Sequence, residues 1–143
     1  MSNTTIFAEA VQKGYQFKGE QVKIGCGMLN GGVVKEANVF IPLKTMNRHG
    51  LIAGATGTGK TKTLQLISEC LSDNSVPVLV MDIKGDLSGI AVEGVSNEKI
   101  IERSAKLGIQ WKPNAYPAEL LTLTGGNGVK LRATVSEFGP VLL

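Results

Sequence analysis

Several signatures are missing from this 143-residue chain, and each absence removes a class of function. Its two cysteines, Cys26 and Cys70, are far apart and form no C-x-x-C pair. A disulfide or a metal site is therefore disfavoured, and both are expected as buried, reduced thiols in apolar company. His49 is the only histidine. With no base, thiol or hydroxyl evident as its partner, it reads as structural rather than catalytic. The start, Met1-Ser2-Asn3-Thr4-Thr5, lacks the charged segment and apolar run of a secretory leader. No apolar stretch approaches the ~20 residues that cross a bilayer, so the expectation is a cytoplasmic protein without a membrane. Formal charge is +3, with lysines and arginines scattered rather than gathered into a basic tail. Charge by itself thus argues only weakly for nucleic acid. Apolar residues make up 43% and charged residues 19%, the balance of a globular chain long enough for one domain.

Against these absences one stretch stands out. Gly54-Ala55-Thr56-Gly57-Thr58-Gly59-Lys60-Thr61 fits G-x-x-x-x-G-K-[ST], the phosphate-binding P-loop (Walker A). Leu51-Ile52-Ala53 before it suits a buried strand, and Leu64, Ile67 and Leu71 after it recur at helical spacing. Strand, glycine loop and helix form the setting the motif requires. The glycines permit backbone conformations in which successive N–H groups turn toward an anion. The helix adds unpaired N–H groups and a dipole equivalent to roughly +0.5 charge. Lys60 supplies a full positive charge to the β- and γ-phosphates, and the Thr61 hydroxyl is a Mg²⁺ ligand. The expected nucleotide-binding set is Gly54, Ala55, Thr56, Gly57, Thr58, Gly59, Lys60, Thr61 and Lys62, with Lys60 as the catalytic cation and ATP or ADP with Mg²⁺ as the ligand.

The rest of the chain frames that loop. Residues 1–20 are polar and interrupted by Gly14 and Gly19, which predicts an irregular or short helical lead-in. Val22, Ile24 and Cys26 alternate as in a half-buried strand. Asn30-Gly31-Gly32 is a turn, with Val33-Val34 and Val39-Phe40-Ile41 as further short strands ended by Pro42. Past the P-loop helix, Val76 to Met81 is a continuous apolar run ending at Asp82, the pattern of a parallel strand buried on both faces. Strand, helix and strand make a βαβ unit, whose ligands sit at the carboxyl ends of the strands. Asp82 lies at that edge. It is read either as a carboxylate near the Mg²⁺ or its water shell, or as a plain strand-end aspartate. It resembles a Walker B aspartate, but Ile83 follows it and the adjacent glutamate is missing. Asp82-Ile83-Lys84-Gly85 also fits the D-x-x-G of GTPases, yet no N-K-x-D motif accompanies it.

Ser96-Asn97 is expected to cap a helix through Leu107, with Ile100, Ile101, Ser104 and Leu107 facing inward and Gly108 stopping it. Leu120–Thr124 and Val129–Val135 flank Gly125-Gly126-Asn127-Gly128 and read as a hairpin. Ser136 caps a last helix at Pro140. The apolar ending Val141-Leu142-Leu143 suggests the N-terminal piece of a longer protein.

The segments Asn47–Thr61, Asp82–Gly89 and Arg132–Pro140 resemble, in order, the bacterial HerA-like helicase family, within the HerA/FtsK group of P-loop motor ATPases. The resemblance implies a RecA-like α/β P-loop NTPase core with a parallel sheet, incomplete here. Residues 1–46 would be a β-rich lead-in, and residues 47–143 the first part of the ATPase domain. It further implies a homo-oligomeric ring that couples ATP hydrolysis to movement along DNA. Lys60 and Thr61 take the P-loop roles, and Asp82 matches an acidic position near the nucleotide. The family's Walker B pair and arginine finger lie beyond Leu143, so the chain is expected to bind Mg-nucleotide with little hydrolysis. Two other readings stay open. One is a non-catalytic nucleotide-sensing module. The other is a small phosphotransferase, which would need an arginine-rich lid where only Arg48, Arg103 and Arg132 occur.

Overall fold

Ser2 starts the first helix: its backbone is extended and its hydroxyl accepts the Thr5 N–H at 3.2 Å. The computed structural model describes residues 1–123, 125–126 and 128–132. In it helix α1 spans Asn3–Gly14, the helical one of the two forms, irregular or short helical, expected for the lead-in. Gly14 ends the helix rather than interrupting it. The helix persists because Phe7, Ala8 and Val11 lie against Val34, Ala37 and Leu29, and such packing outweighs weak local propensity.

Strands β1 (Gln21–Leu29) and β2 (Gly32–Pro42) form an antiparallel pair. Asn30 and Gly31 connect them at φ of 49° and 79°, the left-handed pair that a tight hairpin turn requires. The two valine-rich runs expected as separate strands are therefore halves of one. Register shifts between Lys23 and Gly25 and between Cys26 and Met28 bend the pair. Ala37 is wholly buried beneath α1. Gly27 is bare for a reason, since a Cβ there would lie 2.9 Å from Phe7 Cε1 and 3.1 Å from Ala37 Cβ.

Helix α2 (Lys60–Asp73) packs on β1, and α3 (Glu98–Leu107) packs on β2. The Cys26 thiol points its S–H toward the Leu107 carbonyl at 3.6 Å, joining the hairpin to the end of α3. Both cysteines are free and half-buried rather than buried. α3 starts and stops as its sequence predicts. Asn97 Oδ1 accepts the Ile100 N–H at 2.9 Å, and Gly108 closes the helix at φ 63°. Of its expected inner face, Ser104 is buried, while Ile101 stands in solvent.

The chain is α/β with small sheets, and two expectations need correction. First, Leu51–Ala53 and Val76–Met81 carry no ladder of strand hydrogen bonds, so the βαβ unit around α2 is not a paired sheet among the described residues. Apolar runs give a preference for burial, but a strand exists only where a neighbour takes its N–H and C=O groups. Leu51, Leu79 and Met81 are accordingly 90%, 83% and 88% exposed. Second, β3 (Leu121–Thr122) and β4 (Val129–Lys130) pair in parallel, not as a hairpin. The Val129 N–H donates to Leu120 at 2.7 Å and the Leu131 N–H to Thr122 at 2.8 Å, so the chain loops fully round before it returns. Gly128 allows this at φ 136°, where a Cβ would lie 2.6 Å from the Leu120 carbonyl oxygen. The helix expected at Ser136–Pro140, the strand's continuation to Val135 and the segment Ala133–Pro140 lie outside the described residues. No described helix is long and apolar enough to cross a membrane.

Candidate functional site

Two glycines set the geometry of the Gly54–Thr61 loop. Gly57 and Gly59 adopt φ of 79° and 93°, a region costly for residues with a Cβ, and α2 begins at the very next residue, Lys60. Gly59 caps the helix without any side-chain hydrogen bond. The first helical bond runs from the Thr63 N–H to the Gly59 carbonyl at 2.9 Å. Among the described residues, no acceptor meets the N–H groups of Gly57, Gly59, Lys60, Thr61 or Lys62. Donors of this kind beside the positive end of a helix have the chemistry that an anion requires.

The loop is braced from within by one carbonyl. Ala55 O accepts the Thr58 hydroxyl at 2.7 Å and the Lys60 ammonium at 2.8 Å. Gly54 makes room for this brace, because a Cβ there would come within 2.6 Å of Thr58 Oγ1. Lys60 is thus folded back over the loop, on a neutral acceptor that a phosphate oxygen outcompetes. Gly54 through Gly59 are exposed, so the site is an open turn rather than a cavity. Two concavities of about 290 and 270 Å³, one beside α1 and one beside α3 and Trp111, contain none of these residues. They are shallow grooves far from any phosphate chemistry in character, and the loop remains the candidate site.

The sequence model of the family described as Helicase HerA-like C-terminal matches residues 29–143. The chain belongs to this family. The resemblance carried by Asn47–Thr61 and Asp82–Gly89 is therefore borne out, and the match reaches back to Leu29 at the end of β1. No curated protein and no solved structure matches significantly.

In this HerA-like chain Asp82 organises a turn. Its Oδ1 accepts the N–H groups of Lys84 at 3.2 Å and Gly85 at 2.9 Å, and its Oδ2 accepts that of Leu87 at 2.8 Å. The Leu87 amide foremost, with those of Gly85 and Lys84, holds the Asp82 carboxyl below the ordinary aspartate range. The side chain stays ionised and keeps lone pairs to spare. Thr61, the other expected metal ligand, is exposed, and its hydroxyl has no partner among the described residues. His49 is likewise exposed. On α2, burial foremost and then Asp73 and Glu69 push the Cys70 thiol up, which keeps it protonated and unreactive.

One residue escaped the sequence reading. The buried face of α2 is Gln65, Ser68 and Leu71, while Leu64 is exposed. The expected face of Leu64, Ile67 and Leu71 is thus rotated by about one position. Gln65 explains the rotation. Its Oε1 accepts the Lys62 ammonium at 2.8 Å, and its Nε2 donates to the Asp86 carbonyl at 3.2 Å. Lys62, expected at the nucleotide, therefore rests on Gln65. A search for apolar spacing passes over such a residue; the usable signal is a lone amide in the second turn of α2.

Proposed function

We propose that this chain is the nucleotide-binding part of a HerA-like, DNA-directed motor ATPase, and that it holds the phosphates of ATP or ADP at Gly54–Lys62. One observation carries the reading: a turn with two left-handed glycines feeds directly into a helix whose first N–H groups have no protein acceptor among the described residues. Lys60 and Lys62 supply cationic donors, and in this reading Lys60 serves the β- and γ-phosphates, where charge develops during transfer. The chemistry of the donor set fits magnesium. Thr61 offers a hydroxyl without a partner among the described residues, and Asp82 an ionised carboxylate; these two would hold the ion. Bound there, Mg²⁺ neutralises phosphate charge. In this reading subunits assemble as a ring and hydrolysis drives movement on DNA; family membership supports this part.

Binding is expected to exceed turnover in the 143-residue chain, because none of its described arginines is assigned as an arginine finger, a group that alone contributes ~10³–10⁵ in rate. Titration with a fluorescent adenine nucleotide and Mg²⁺ should give saturable binding. Lys60→Ala should weaken it by roughly 10–100-fold, the worth of a charge-assisted hydrogen bond. Unchanged affinity in Lys60→Ala would mean that the phosphates sit elsewhere. Fast, Lys60-dependent turnover by this chain would overturn the claim that it mainly binds.

A further inference from the structure

We propose that Gln65 is a positioning residue that couples occupancy of the phosphate loop to the Asp82–Leu87 turn; this rests on the nucleotide reading above. Three observations converge on it. Gln65 is 8% exposed, although Lys62, Leu64 and Leu66 around it face solvent. Its amide is satisfied at both ends, by Lys62 and by the Asp86 carbonyl. Its orientation has no alternative: an ammonium only donates and a carbonyl only accepts, so the oxygen must face Lys62 and the nitrogen Asp86.

The turn it grips moves as a unit. Asp82 ties Lys84, Gly85 and Leu87 to its own carboxylate, with Asp86 inside the same loop. A single bond to the Asp86 carbonyl therefore sets where the whole turn, Asp82 included, lies relative to α2. At the other end of the amide, Lys62 belongs to the first turn of α2, where an anion would bind. A phosphate is a stronger acceptor for an ammonium than a neutral amide oxygen. When nucleotide arrives, Lys62 leaves Gln65, the buried amide loses one of its two anchors, and its grip on Asp86 slackens. A buried amide group left unpaired shifts an equilibrium by roughly 5- to 100-fold. The turn that carries Asp82 is thereby released when the phosphates are in place.

Hydrogen–deuterium exchange across residues 82–89 tests this in the 143-residue chain. In the wild type, saturating Mg-ADP should speed exchange at Gly85 and Leu87 by about tenfold. Gln65→Glu keeps an acceptor for Lys62 but sets a carboxylate against the Asp86 carbonyl. It should speed exchange at the same amides without nucleotide, also by about tenfold, and nucleotide should then add no further change. Gln65→Met, which lacks both hydrogen bonds, repeats the test if the glutamate variant folds poorly. Three results overturn the inference: wild-type exchange at 84–87 that ignores nucleotide, nucleotide-free exchange that is the same in wild type and variants, or a full nucleotide response in the variants. If the wild type binds no nucleotide, the proposed function falls and the coupling with it. If it binds and the turn does not respond, only the coupling falls.

Discussion

The layer of α1, β1 and β2 and the stretch from residue 47 to 132 hold themselves together by different means. The first buries apolar side chains: Ala8, Val22, Val34 and Ala37. The second buries mainly polar ones, Gln65, Ser68 and Ser104, with Leu71, while Leu79, Met81 and Ile83 are 83–99% exposed. The first layer joins elements close in sequence through one two-residue turn, so its contacts are completed locally. The second has only the two-residue pair of β3 and β4 as a sheet among the described residues, and it is held by hydrogen bonds such as those of Gln65. The candidate site tolerates this, because its donors are backbone groups fixed by glycines and a helix start rather than by a deep core.

The contrast is broken most directly by placing a charge in each region. Ala37→Asp puts a carboxylate at a wholly buried point with no partner and should cost more than about 3 kcal/mol, read as a large fall in Tm by circular dichroism. Leu79→Asp changes a residue 83% exposed and should move stability by no more than about 0.5 kcal/mol. Equal effects would show that the two regions share one core. Gly27→Ala tests the first layer more gently. Its Cβ would press on the Phe7 ring and Ala37, and overpacking of that kind costs about 1–3 kcal/mol.

What the sequence revealed follows the same division. The Asn30-Gly31 turn, the start of α2 at Lys60, the Asn97 cap and the Gly108 stop are local chemistry, and each stands where the sequence places it. For residues 1–20 the sequence leaves an irregular segment and a short helix both open, and contact with Val34 and Ala37 is what sustains the helix up to Gly14. Val76–Met81 was over-read, since an apolar run says that burial is favoured and not that a partner strand is there. In the candidate site the glycine loop was legible by spacing. The link from Lys62 through Gln65 to Asp86 was not, because it joins residues whose nearness depends on how the chain folds back on α2.

Gly59→Ala sharpens the comparison from the side of the loop. At φ 93° a Cβ is strained by about 1–2 kcal/mol, but no atom lies within 4 Å to clash with it. The loop is exposed and joins no core, so the strain should be relieved by local rearrangement. Phosphate affinity should then fall by roughly tenfold with little change in Tm. A large Tm loss with unchanged affinity would mean that the loop supports the fold rather than the ligand.

The smallest effect, and the finest test of how the second region is held, is the titration of Asp82. Its pKa is lowered in the folded chain by the Leu87, Gly85 and Lys84 amides, so ionisation and turn formation favour one another. The sign follows: the contribution is fully present above the ordinary aspartate value and is lost as pH falls through the lower, folded one. Because the carboxylate is fully exposed, solvent screening keeps the gain local, and global stability should hardly register it. The Gly85 amide proton, bonded to Oδ1 at 2.9 Å, reports it directly by NMR. Its shift should titrate with a midpoint below the ordinary 3.8 and become flat through this range in Asp82→Asn. A midpoint at or above that value would mean that the Asp82 carboxylate does not hold the turn and that Gln65 alone does.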